Sequence, residues 1–180
     1  MILATSELLK LVKEKNLVEN LSERELKNPE GCGFDLRAGE VYELSGSGYL
    51  GVEERKTPQE KLIAKYDPGK IVKVNLKPGK YYMVKTIEKI NQPENIQVIV
   101  RPRTTLIRSG IYLGVAFGSP GYKGQFNFGI MNIGGLKFIL EMGARIAHAG
   151  FFEVKGQTLV PYRGQWQGGR VSARRREKQI

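Results

Sequence analysis

Apolar positions recur at helical spacing only near the start of the chain. In residues 5–15, Leu8, Leu11, Val12 and Lys15 follow that spacing, with Glu7 in the first turn and Thr5 or Ser6 placed to cap. This predicts one short helix. Residues 16–29 are polar and irregular, with a second helical turn expected at Ser22–Leu26. Beyond them, β-branched and aromatic runs lie between Gly and Pro clusters, which predicts strands. The expected strands are Phe34–Ala38, Glu40–Leu44, Lys70–Leu76, Tyr81–Ile87, Ile96–Val100, Ile111–Phe117, Gln125–Met131, Phe138–Leu140 and Ala144–Val154. Pro68-Gly69-Lys70 and Pro78-Gly79-Lys80 read as turns around one of them, and Gly46–Pro68 as a long loop. Many short strands behind one helix predict a mainly β chain, an antiparallel barrel or jelly-roll-like sandwich. The expected division is a β domain over 1–160 and a flexible basic arm over 161–180.

Composition narrows the function. The 180 residues carry 29 Lys+Arg against 18 Asp+Glu, a formal net charge of +11. Such an excess points to an anionic partner. Only two of the 18 acids are aspartates, Asp35 and Asp67. One cysteine, Cys32, rules out an internal disulfide framework and makes a reducing cytoplasm the expected compartment. One cysteine and one histidine, His148, do not make a tetrahedral zinc site. No apolar run approaches a membrane span, and the first residues lack a signal-peptide core.

Four segments carry candidate chemistry. Arg101-Pro102-Arg103-Thr104-Thr105-Leu106 offers guanidinium forks and hydroxyls suited to phosphate; it also reads as a strand and a capped turn. Gly118–Gly124 is a turn in which Tyr122 offers a flat face to a sugar or base. Gly143–Ala149 starts a strand that carries Arg145 and His148, residues that equally suit a solvated strand. Pro161–Arg170, with Arg163, Trp166 and Gln167 among glycines, reads as a lid or as a solvated basic tail. No nucleic-acid-reading motif accompanies the charge, so nucleic acid is not the expected partner. None of the segments matches GxxxxGK[ST], GxGxxG, HExxH or GxSxG.

These segments, with Gly33-Phe34-Asp35-Leu36 upstream, resemble in order the motifs of the trimeric dUTPase/dCTP deaminase superfamily, closest to archaeal-type dUTP nucleotidohydrolases. Pro102–Leu106 is similar to its Arg-Ser-Ser-Leu motif, Ser119–Gly124 to Asp-Pro-Gly-(Tyr or Trp)-x-Gly, and Gly143–His148 to Gly-x-Arg-Ile-Ala-Gln. Pro161–Gly168 resembles the C-terminal arm of the archaeal members. The resemblance implies a β-barrel or jelly-roll subunit in a homotrimer, with sites at subunit interfaces. It implies a deoxynucleoside triphosphate ligand, dUTP or dCTP, with Mg²⁺ on its phosphates. Arg103, Thr104 and Thr105 would hold phosphate, and Arg145 would also bind the substrate. The hairpin of Tyr122 would receive the pyrimidine, its ring stacking on deoxyribose, and Arg163, Trp166 and Gln167 would close over the nucleotide.

The sequence departs from this pattern at the reacting group. Ser119 stands where the family carries the aspartate that activates water. A serine hydroxyl holds water but does not take its proton at neutral pH. Asp35 and His148 are the candidate substitutes. Gly129 stands where the deaminase branch carries a glutamate, which argues against dCTP deamination. The expected function is Mg²⁺-dependent hydrolysis of dUTP to dUMP and pyrophosphate; the alternatives are a nucleotide-binding protein without turnover, and a deaminase.

Overall fold

The structure is a computed structural model that describes residues 1–179. Helix α1 spans Thr5–Lys15 and buries Leu8 completely. Its N-cap is Ala4, with no side-chain capping bond, so neither Thr5 nor Ser6 caps it. Helix α2, Glu23–Lys27, is capped by Ser22, whose hydroxyl accepts from the Glu25 amide at 3.4 Å.

The strands are β1 (Val18–Glu19), β2 (Gly33–Ser45), β3 (Tyr49–Leu50), β4 (Glu54–Lys56), β5 (Gln59–Lys65), β6 (Lys73–Leu76) and β7 (Tyr81–Asn91). Then come β8 (Ile96–Pro102), the short helix α3 (Thr104–Arg108), β9 (Ile111–Gly114), β10 (Phe117–Gly118), β11 (Lys123–Asn132), β12 (Phe138–Glu141), β13 (Arg145–Glu153) and β14 (Glu177–Lys178). The chain is mainly β. Nine strands form one antiparallel sheet in the order β10-β8-β13-β2-β7-β11-β9, with β1 joined to β7 and β5 to β2. The two strands expected at 34–38 and 40–44 are one bent strand. Gly33–Arg37 pairs with β13, and from Ala38 onward the pairing passes to β7 after a register shift. That corner curls the sheet into a half-barrel. Phe34, Leu36, Val41, Val84, Ile130, Ile146 and Phe151 fill its interior with no exposed surface.

Strand β7 alternates buried and half-buried positions, and two inward ones are polar. Glu88 is among them, fully buried, and accepts from the Arg37 amide at 2.7 Å and Arg37 Nε at 2.6 Å. Burial pushes the Glu88 carboxyl pKa up, and the Arg37 contacts oppose it.

One expectation changes. Gly46–Pro68 is not a loop: it holds β3, β4 and β5, and β5 pairs along Glu40–Ser45 of β2. The basic tail does not stand free of the core. Residues 161–179 lie on the same chain's surface, Ala173 is fully buried, and β14 pairs with β4. The anions that order it are the chain's own: Arg174 meets Glu60 at 2.6 Å and Arg176 meets Glu54 at 3.4 Å. No helix among the described residues is long and apolar enough to cross a membrane.

Candidate active site

Strand pairing places Asp35 of β2 opposite His148 of β13, and His148 opposite Arg101 of β8. Arg145 opens β13, and Arg103 follows the end of β8 as the N-cap of α3, its amide donating to the Ile146 carbonyl at 2.9 Å. Three strands thereby deliver their side chains to one carboxylate. Asp35 Oδ2 accepts from Arg103 Nη1 at 2.6 Å and Arg145 Nη1 at 2.8 Å, and its Oδ1 lies 2.9 Å from His148 Nδ1. Beneath it, Glu25 of α2 accepts from the Asp35 amide at 3.1 Å and pairs with Arg24. Sequence reasoning missed Arg24 and Glu25, which sit in a polar stretch with no local signal of their partners.

Burial alone raises the pKa of Asp35, but the His148 hydrogen bond and the Arg103 charge outweigh it and hold the carboxyl at about 2. Such a carboxylate accepts a proton poorly at neutral pH. Asp35 is therefore an anchor for cations, and the expectation that it serves as the base is set aside. The groups it anchors remain available. Side-chain exposure is 33% for Arg103, 36% for Arg145 and 35% for His148, against 3% for Asp35. Each guanidinium has five N–H donors, and Asp35 engages one nitrogen of each. Thr104 and Thr105 stand exposed in the first turn of α3 beside Arg103. The result is a fixed, positively charged surface suited to a polyphosphate.

The hairpin residues form a second group. Ser119 accepts the Tyr122 amide bond that closes the turn, at 3.0 Å. Tyr122 does not stand out from that turn. It is 7% exposed, its hydroxyl donates to the Gln125 carbonyl, its ring stacks on Phe126 at 5.4 Å, and Tyr162 meets it at 72°. Burial and Tyr162 push its phenol pKa up. Ser119, Tyr122 and Trp166 line a cavity of about 420 Å³ with Tyr81, Phe126, Asn127 and Tyr162. The tail's Arg170, Val171 and Ser172 complete its wall.

The arm is bound to the hairpin of its own chain. Gln167 accepts from the Lys123 amide at 2.7 Å and donates to the Gly121 carbonyl at 3.1 Å. The Gly168 amide donates to the Lys123 carbonyl at 2.7 Å. A Cβ at Gly124, where φ is +152°, would lie 2.4 Å from the Gly169 amide nitrogen, so glycine there is what lets the arm approach. Arg55 covers Trp166 at 4.7 Å. Arg163 is exposed.

The two groups do not meet within one chain. Strand β8 links them: Val98 pairs with Gly118 of the hairpin, and Arg103 lies past the strand's far end. Five residues of strand span roughly 17 Å. The cavity contains none of Asp35, Arg103, Arg145 or His148.

At Gly129 the backbone faces Tyr81. A Cβ there would lie 2.0 Å from the Tyr81 hydroxyl, so a phenol fills the space a side chain at 129 would take. No carboxylate stands on that part of the cavity wall.

Known proteins resemble the chain in sequence and in fold. The chain is 34% identical, over 76% of its length and 85% of the relative's, to a probable deoxyuridine 5'-triphosphate nucleotidohydrolase of Methanothermobacter thermautotrophicus. It is 27% identical to a dCTP deaminase of Pyrococcus furiosus, over 93% of this chain and 95% of that one. A solved 2'-deoxycytidine 5'-triphosphate deaminase from Agrobacterium tumefaciens shares the fold with a TM-score of 0.65 at 17% identity; the match covers 83% of this chain and 46% of that one. The family described as dCTP deaminase-like matches residues 2–154, a span holding the cationic cluster and the hairpin but ending before the arm, and the chain belongs to that family.

Proposed function

We propose that this chain hydrolyses dUTP to dUMP and pyrophosphate, as a homotrimer in the cytoplasm. The observation that carries the reading is the Asp35 anchor. It holds Arg103 and Arg145 in place while leaving most of their donors to solvent beside Thr104 and Thr105. Preorganised guanidinium groups of this kind suit a triphosphate. The hairpin cavity, walled by aromatic rings, suits a planar base.

A nucleotide reaching both groups needs them from different subunits, given the strand length between them. Exposed apolar side chains support assembly: Ile107, Tyr112, Phe117, Ile133 and Leu136 are each more than half exposed. Among the described residues no three His, Cys, Asp or Glu side chains form a metal-holding group. Mg²⁺ would be held by the phosphates themselves, since both oxygens of Asp35 are engaged by Arg103, Arg145 and His148; the ion would supply charge neutralisation there.

Ser119 positions the attacking water in this reading, and His148 from the neighbouring subunit takes its proton. Asp35 fixes Nδ1 of His148 and leaves Nε2 as the acceptor. The absence of a carboxylate at 119 supports a second reading, nucleotide binding without turnover. Incubation with Mg²⁺ and each dNTP, with pyrophosphate and ammonia both measured, separates these. Pyrophosphate from dUTP alone is expected. Ammonia from dCTP, or no product from any nucleotide, would contradict the reading.

A further inference from the structure

A third guanidinium reaches the Asp35 carboxylate from outside the strands. Arg24 of α2 places Nη1 3.9 Å from Asp35 Oδ2, the oxygen that already holds Arg103 and Arg145. Its side chain is 34% exposed, as open to solvent as theirs. Glu25 fixes it there. That carboxylate is buried, pairs with Arg24 Nη1 and accepts from the Asp35 amide, so one side chain ties α2 to β2.

Buried groups alone do not balance the charge around this oxygen. Three guanidinium groups meet two buried carboxylates, Asp35 and Glu25. A third carboxylate makes up the difference, and it is exposed. Glu30 Oε1 lies 2.8 Å from Arg24 Nη2, and the Glu30 side chain is 70% exposed. It stands between α2 and β2 beside the exposed Gly31, where φ is +67° and an added Cβ would meet nothing within 4 Å. The chain is unpacked at that point, so Glu30 can swing away without disturbing the core. Exposed ion pairs of this kind hold weakly, because two long side chains lose freedom for a small Coulomb gain in water.

A mobile carboxylate on an arginine beside a cationic surface occupies the place an anionic ligand would take. Resting on the reading of this surface as a polyphosphate grip, we propose that Arg24 is a further phosphate contact, which Glu30 covers until ligand arrives. The incoming phosphate displaces Glu30 and takes Arg24 Nη2, while Glu25 keeps Nη1. Arg103 and Arg145 hold the nearer phosphates. Arg24 makes the longest approach to Oδ2 and turns its outer nitrogen to the exposed side, so it takes the end of the chain. Arg24 thereby selects a triphosphate over a shorter polyphosphate. Glu30 sets the strength of that selection, because a terminal phosphate fits the guanidinium fork as a carboxylate does and carries more charge.

The test is calorimetric titration with inorganic triphosphate and pyrophosphate, two probes that carry no base, so the deoxyuridine reading does not enter. The unaltered protein is expected to bind triphosphate more tightly. Arg24→Gln is expected to bind triphosphate about tenfold more weakly, as loss of one charge-assisted bond does, and pyrophosphate within about twofold of the unaltered protein. Retained pyrophosphate binding shows that the variant keeps its fold. Glu30→Gln is expected to bind triphosphate about threefold more tightly, the gain from removing one exposed competitor, and to gain nothing when Arg24→Gln is also present. Glu23→Gln removes an exposed charge from the same helix and controls for net charge, with binding expected to stay within about twofold. Equal losses of both probes in Arg24→Gln, or no greater gain in Glu30→Gln than in Glu23→Gln, would overturn the proposal alone. No binding of either probe by the unaltered protein would remove the polyphosphate reading with it.

Discussion

Asp35 Oδ1 lies 2.9 Å from Nδ1 of His148, directly across the β2–β13 pairing, while Oδ2 of the same carboxylate holds two arginines. The carboxylate is 3% exposed, so its charge is compensated almost wholly by these side chains. The first expectation concerns stability. The Asp35 pKa falls from 3.8 to about 2 on folding. A depressed carboxyl pKa stabilises the fold above the unfolded value and loses that contribution as pH falls through the folded one. Asp35→Asn should therefore cost about 2 kcal/mol at pH 7. Urea unfolding should show that difference shrinking between roughly pH 4 and pH 2. An unchanged unfolding midpoint at pH 7 would contradict the anchor.

The proposed role of His148 is to take a proton rather than to hold the nucleotide. Replacing it with glutamine keeps a polar side chain but removes the proton acceptor. His148→Gln is expected to lower dUTP turnover by about 10²–10⁴-fold, the usual range for general-base assistance, with little change in nucleotide affinity. Equal turnover in the variant would take the proton-accepting role away from His148.

Arg103 acts through its shape as well as its charge. Arg103→Ala should weaken dUTP binding by about tenfold to a hundredfold, as loss of a charge-assisted bond does. Arg103→Lys should restore little, because a point charge cannot bond Asp35 and a phosphate as one planar fork does. Full rescue by lysine would reduce the arginine to a general positive charge.

In the proposed assembly, sites shared between subunits bridge the roughly 17 Å of strand between the cationic cluster and the hairpin. Arg103→Ala and Trp166→Ala are each expected to lose activity alone, since one damages the cluster and the other the cavity wall. Mixing and reassembling the two variants should restore part of it, because some interfaces then join an intact cluster to an intact cavity. Absence of any recovery, with mixed oligomers verified by mass, would place each site within one chain.

The tail over the cavity is held by charge. The Arg174 hydrogen bond, with Ser172 adding to it, outweighs the opposing effect of burial and holds the Glu60 pKa at about 2. That hold is present above the ordinary glutamate range, near 4.5, and is lost as pH falls toward about 2. At neutral pH, Glu60→Gln should loosen residues 170–179 without unfolding the sheet. Trypsin cleavage at Arg174–Arg176 is expected to accelerate in the variant, and in the unaltered protein at high salt. Equal cleavage rates would mean that packing of Ala173, not charge, holds the tail.

Helix α1 and the long strands β7, β11 and β13 were legible because each buries one face and its periodicity survives in the sequence. Strand β5 was not, because only Ala64 of its seven residues is buried, leaving no alternation to read. The expected strand at 111–117 breaks into β9 and β10, and Thr104–Arg108 forms α3 instead of a turn. The four-segment order indicated which residues to examine. It did not show that Asp35 ties Arg103, Arg145 and His148 together, because those contacts span 68 to 113 residues. The seat of the tail was not legible for the same reason: Arg174 finds Glu60 across 114 residues.

Hydrolysis itself is tested most directly under single-turnover conditions. With Mg²⁺ and protein in excess over dUTP, dUMP and pyrophosphate are quantified together over time. One dUMP and one pyrophosphate for each dUTP consumed is the expected result. Intact dUTP after hours, still bound to the protein, would contradict catalysis and leave a nucleotide-binding protein whose Ser119 does not support the reaction.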